Sequence, residues 1–160
     1  MTNCTKQLIL FKDLFSKKIE VDFDGGEVSS DAGLLFFREV EARMGLIQKM
    51  TDSLRDRRHP SYIKHQLLEL FKQRVFQIVC GYEDGNDSNE LREDPIMKIV
   101  CERLPDDSQT LASQPTISRF ENNFSRTDLY RIGECFWICL SDRTVDHRKA
   151  SSWTLMIRMI

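Results

Sequence analysis

Strict alternation of polar and apolar side chains occurs once in this chain, at Lys18-Ile19-Glu20-Val21-Asp22-Phe23, and Gly25-Gly26 closes it. That is the pattern of a strand with one face in a core. A second short apolar run, Leu8 to Phe11, stands where it can pair with the first. From Asp31 onward the apolar residues recur instead at steps of three and four, the spacing that lines one side of a helix. The expected fold is mainly α, with a short N-terminal β element.

Leu34, Phe37, Val40 and Met44 mark a first helix, capped by Ser30 or Asp31 and ended by Gly45. Pro60 suits a first helical position, and Ile63, Leu67, Leu70, Phe71, Ile78 and Val79 trace the apolar face of what reads as the longest helix, up to Gly81. Asp84-Gly85-Asn86-Asp87 reads as a turn. Asp94-Pro95 opens another helix, with Ile96, Ile99, Val100 and Leu104 inward until Pro105 to Ser108 breaks it. Ser113 caps a short helix from Gln114 to about Asn122, and Ser125 or Thr127 starts one through Leu129, Ile132, Phe136 and Leu140. After Asp142 there is neither a clean period nor a cap, so an irregular C-terminal tail is expected. The chain divides accordingly into an arm with a short strand (1–28), a helical domain of DNA-binding type (29–125), a helix leading onward (126–142) and an aberrant tail (143–160).

With 160 residues, 41% of them hydrophobic and 30% charged, the chain has the composition of an ordinary soluble domain with a core. The net charge of −2 carries no global sign of a nucleic-acid partner, but the charges are unevenly placed. Eight basic residues stand against three acidic ones between Arg43 and Arg74, and nine acidic against three basic between Glu83 and Asp107. One face is therefore expected to suit an anionic partner. Five cysteines without a C-x-x-C pair argue against a disulfide framework or zinc site. Cys135 and Cys139, four apart, read as buried small hydrophobes. There is no signal-peptide pattern at the start, and the longest apolar run, Cys135 to Leu140, is too short to cross a membrane, so a cytoplasmic, nucleoid-associated protein is expected.

Two segments carry recognition chemistry. In Leu111-Ala112-Ser113-Gln114-Pro115-Thr116-Ile117-Ser118-Arg119-Phe120-Glu121-Asn122, a short helix follows another across a turn and crowds Gln114, Thr116, Ser118 and Arg119 into its first turns. Helix-turn-helix proteins present hydrogen-bonding groups to a major groove in this way, and a solvated surface helix is the plain alternative. In Arg55-Asp56-Arg57-Arg58-His59-Pro60, with Lys64 beyond, guanidinium groups cluster ahead of a helix start and can clamp phosphates, a solvated loop being the alternative. Nucleotide-loop, nucleophile-elbow and metalloprotease motifs are absent, His59 has no ligand spacing to His65 or His147, and Glu83, Asp84 and Asp87 lack calcium-loop spacing. No catalytic or metal residue is expected.

Phe23-Asp24-Gly25-Gly26, Ser29-Ser30-Asp31-Ala32-Gly33, Gly81-Tyr82-Glu83-Asp84 with Asn86-Asp87, Leu91-Arg92-Glu93-Asp94-Pro95, and Leu111 to Thr116 with Ser118 to Asn122 occur in this order. Together they resemble the N-terminal region of insertion-sequence transposases of the DDE group-one family, over about residues 19–140. The resemblance implies binding to the terminal inverted repeats of a mobile element. It also implies cleavage by three carboxylates that hold Mg or Mn on a ribonuclease H-like fold. In that family the first catalytic aspartate follows the helix that matches Thr127 to Leu140, in a Leu-Asp-hydrophobic-Asp strand, and no such strand follows here.

The genetic code offers a reason. Trp and Met each have a single codon ending in G, so Trp153-Thr154, Met156-Ile157 and Met159-Ile160 each spell aspartate when read from that G. The residue ahead of the first of these is then Leu, Met or Val. A frameshift between Leu140 and Asp146 that replaced the catalytic strand is thus the expectation, and a module that ends here naturally is the competing account. The expected function is that of a truncated transposase that binds inverted-repeat duplex DNA without cutting it and needs no cofactor. The alternatives are a fragment that inhibits full-length transposase by mixed oligomerisation and a non-functional pseudogene product.

Overall fold

The computed structural model describes residues 9–21 and 31–157, with side chains at 11–19 and 31–141. Asp22, Phe23, Gly25-Gly26 and Ser30 lie outside them. The fold is mainly α behind one hairpin. Strands β1 (Ile9–Leu14) and β2 (Lys17–Val21) pair antiparallel, with Ile9 opposite Val21 and Phe11 opposite Ile19. Phe11 and Ile19, opposite each other, turn into the core, and a register shift between Phe11 and Leu14 brings Leu14 in with them.

Helix α1 (Leu34–Met44) starts after Gly33, which takes the N-cap position expected for Ser30 or Asp31, and ends as expected at Gly45, whose φ of 60° a side chain would strain. Its buried face is Leu34, Leu35 and Arg38, whereas Phe37 and Val40 are 50% and 49% exposed, so the stripe expected through Leu34, Phe37, Val40 and Met44 is wrong. The reason is Arg38. Its guanidinium is only 3% exposed, grips both Glu102 oxygens at 3.2 and 3.1 Å, and donates to the Lys12 and Asp13 carbonyls, which fixes the rotation of α1. Gly45 does not end the helical chain. The Glu41 carboxylate accepts from the N–H groups of Leu46 and Ile47 at 3.1 and 2.8 Å and opens a further helix, α2 (Leu46–Asp52).

The helix expected from Pro60 begins seven residues later, as α3 (Leu67–Val79). Pro60–Tyr62 is a single 3₁₀ turn, capped where His59 accepts from the Ser61 N–H, and Ile63 is extended. Along α3, Leu70, Phe71, Phe76 and the amides of Gln73 and Gln77 are buried, while Ile78 and Val79 are half exposed. A 3₁₀ turn at Gly85–Asp87, where the Asp84 carboxylate accepts from the Asn86 N–H, leads into α4 (Ser88–Leu91). In α5 (Pro95–Val100) the Asp94 carboxylate accepts from the Met97 N–H at 2.8 Å. Met97 and Val100 are its core residues, Ile96 and Ile99 pack only partly, and the left-handed Glu102 (φ 61°) turns the chain away before Leu104.

Helix α6 (Gln114–Asn122) matches its expected bounds, with Ser113 at the N-cap position but without the expected side-chain cap hydrogen bond. Helix α7 (Arg126–Ile157) is the longest, in place of α3. Ser125 and Asp128 cap each other at its start: Asp128 accepts from the Ser125 hydroxyl at 2.6 Å and N–H at 3.0 Å, and the Asp128 N–H faces the Ser125 oxygen at 3.3 Å. Its backbone stays helical beyond Asp142, where the sequence pattern is lost. Neither Gly nor Pro follows Gly133, so nothing stops propagation once the helix is nucleated. Of the stripe expected on it, Ile132 packs on the core. Leu129, Phe136 and Leu140 are 57%, 44% and 42% exposed, and Cys135 and Cys139 are half-buried rather than buried.

Candidate nucleic-acid interface

Helix α6 is held from three sides. The buried Gln73 amide donates to the Ala112 carbonyl at 2.8 Å and accepts from the Ala112 N–H at 2.9 Å, as a neighbouring strand would. Asn89 accepts from the Gln114 N–H at 3.1 Å, and Arg74 ties Glu121 to the Tyr82 and Glu83 carbonyls. Ile117 and Phe120 anchor the inner face. On the outer face Arg119 is exposed, and Gln114, Thr116 and Ser118 are half exposed.

The expected turn between two helices is not the one ahead of α6, since residues 101–113 separate it from α5. A tight helix-turn-helix joins its partners over three or four residues. Here the short connection, Asn123–Ser125, lies after α6, and α6 packs against α3, α4 and the Gly85–Asp87 turn.

The basic loop comes to the same place. A cleft of about 380 Å³ opens between residues 54–65, the start of α3, the outer side of α6 and the start of α7. Arg55, Arg57, Arg58 and Lys64 line it from the loop, and Thr116 and Arg119 from α6; Gln114 and Ser118 do not reach it. Its floor is aromatic, with Phe120 edge-on to both Phe71 and Phe124 at centroid distances of 5.2 and 5.0 Å.

The cations are not equivalent. Arg58 is used internally: it donates to the His65 carbonyl and grips Asp56 at 2.9 and 2.7 Å, and its hydrogen bonds to Asp56 hold that carboxyl below its usual range. Arg57 reaches Asp128 at 3.2 Å. Asp128 is held low first by the Ser125 hydroxyl and N–H, and also by Arg57. Arg55, Lys64 and Arg119 have no ion pair among the described residues. Five cations thus face two carboxylates, and three of the five are uncommitted.

Below the loop, buried His65 and Arg103 converge on Glu69 at 3.1 and 2.8 Å. Burial works to raise the Glu69 carboxyl, but hydrogen bonds from His65 and Arg103 outweigh it and hold the group below its ordinary 4.5. A lowered folded-state value contributes stability that is present above 4.5 and lost as pH falls through the lower value. Glu69→Gln is therefore expected to lose about 1.5–3 kcal/mol at neutral pH and to flatten the stability loss between about pH 5 and 3. Urea titrations across that range check it, and an unchanged acid limb refutes it.

Tyr62 was missed by the sequence reading. It lines the cleft, is 86% exposed and leans on His59 at 5.6 Å. Its signal was an aromatic beside a basic run, hidden by reading Pro60-Ser61-Tyr62 as helix interior. The thiols of Cys80 and Cys101 are not poised for chemistry: burial pushes buried Cys101 upward, and burial with nearby Asp31 pushes Cys80 up to about 11.

The model of the transposase DDE domain group 1 matches residues 11–156 of the chain. The chain belongs to this family. No curated protein and no solved structure matches it. A transposase acts on DNA, and five basic side chains line the cleft. The divalent metal of DDE chemistry finds no fitting ligand set, since among the described residues no three His, Cys, Asp or Glu side chains are grouped to hold one. Glu83, Asp84 and Asp87 belong to a turn in which Asp84 is engaged by Asn86. No described helix is long and apolar enough to cross a membrane.

Proposed function

We propose that this transposase chain binds the terminal inverted repeats of an insertion sequence as duplex DNA, with α6 and the 54–65 loop as its contact surface. The observation that carries the reading is the meeting of two separately encoded segments in one cleft where Arg55, Lys64 and Arg119 have no ion pair among the described residues. Arg119 is the base-reading candidate, with Gln114, Thr116 and Ser118 beside it on α6, and Arg55 and Lys64 are the phosphate contacts. Arg57 and Arg58 chiefly brace the loop through Asp128 and Asp56. The proposal assigns end binding, not strand cleavage, to these residues.

Arg119→Ala is expected to lose about 1–3 kcal/mol at one position of the repeat and to relax specificity there. Lys64→Ala should weaken matched and scrambled duplexes alike and reduce the slope of log K against log salt by about 1. Fluorescence anisotropy on matched and scrambled ends over a salt series separates the two patterns. Equal binding by wild type and both variants would remove the assignment.

A further inference from the structure

Resting on that DNA-binding reading, we infer that the cleft takes one unpaired nucleotide of the bound DNA, its base stacked on Tyr62 and its phosphate held by Arg55 and Lys64. A site for paired backbone alone would need only a cationic ridge. This one is concave, with half-buried Phe124 and the edge of Phe120 as floor and the free cations on the walls. At about 380 Å³ it falls within the range of pockets that enclose small ligands, so one nucleotide fits and a double helix stays outside. An apolar floor with cationic walls selects a group that has a flat π-face at one end and an anion at the other.

Tyr62 makes the cleft more than an anion site. It is the most exposed large hydrophobic side chain among the described residues, and it stands at this cleft. The 3₁₀ turn Pro60–Tyr62 holds it there, with proline at its first position and the His59 cap fixing the backbone. The ring lies 5.6 Å from that of His59 and is otherwise open to a stacking partner, and stacking tolerates any base because each has a π-face. Unstacking a base from a duplex is costly, so the preference is for DNA in which one nucleotide is already unpaired.

The test uses the full chain and two labelled duplexes of the repeat end, one fully paired and one with a single unpaired thymidine, in competition anisotropy at fixed salt. The unpaired duplex is expected to bind more tightly by a factor of roughly 5–150, the range of one base stacked on an aromatic. That ratio should fall to about one in Tyr62→Ala and return in Tyr62→Phe, which keeps the ring. Equal affinities in wild type, or an unchanged ratio in Tyr62→Ala, overturn the nucleotide pocket and leave duplex binding standing. Failure of both duplexes to bind overturns the DNA-binding reading and this inference with it.

Discussion

Arg38→Met should cost the domain about 3 kcal/mol, the lower end of the range for breaking a buried ion pair. The side chain is 3% exposed and joins three parts of the fold: α1, on which it stands, the Lys12 and Asp13 carbonyls of β1, and Glu102 after α5. Met fills most of the volume, so the loss is electrostatic. Two backbone carbonyls lose their charged donor, and among the described residues Glu102 keeps Lys72, at 3.6 Å, as its one cation. The estimate sits at the low end because Glu102 is 42% exposed and regains water. Glu102 also holds a left-handed backbone that non-glycine residues adopt only under constraint, so its release should loosen the turn after α5 as well. Urea unfolding of Arg38→Met, Glu102→Gln and the double variant measures the coupling, and a coupling near zero would show that the contact does no more than fill space.

The same arginine marks where the sequence stopped being legible. Leu34, Phe37, Val40 and Met44 satisfy a helical period, and nothing local announces that a guanidinium lies inward while two of these residues face out. The partner that makes this tolerable, Glu102, is 64 positions away. Helix α6 was legible because its signals are adjacent: Ser113 before it, Pro115 in its first turn, and Ile117 and Phe120 at helical spacing. The start of α3 was not, since Pro60 favours a helix or a lone 3₁₀ turn equally and only the His59 cap and the extended Ile63 decide. The site residues were named from composition, but their roles were set by tertiary partners. Asp56 and Asp128 commit Arg58 and Arg57, leaving Arg55 and Lys64 without an ion pair among the described residues, and no spacing rule in residues 55–64 expresses that difference.

Gln73→Met is expected to remove about 2–6 kcal/mol, because it orphans both backbone groups of Ala112 and each buried unsatisfied group costs about 1–3 kcal/mol. Gln73 and Ala112 are each fully buried, so water cannot take over the two bonds, and the thioether of Met neither donates to the carbonyl nor accepts usefully from the N–H. Ala112 lies two residues before Gln114, so the loss falls on the segment that presents α6. Where the variant remains folded, the Ala112 amide should exchange with solvent much faster than in the wild type while the core of α3 stays protected. The effect on DNA should differ from that of removing a cation. Arg55 and Lys64 stand on another segment, so the salt slope should survive, whereas discrimination between matched and scrambled repeats should fall as Arg119 loses its fixed position. If Gln73→Met binds matched ends with undiminished preference, α6 does not read the sequence, and whatever specificity the chain has belongs to the loop.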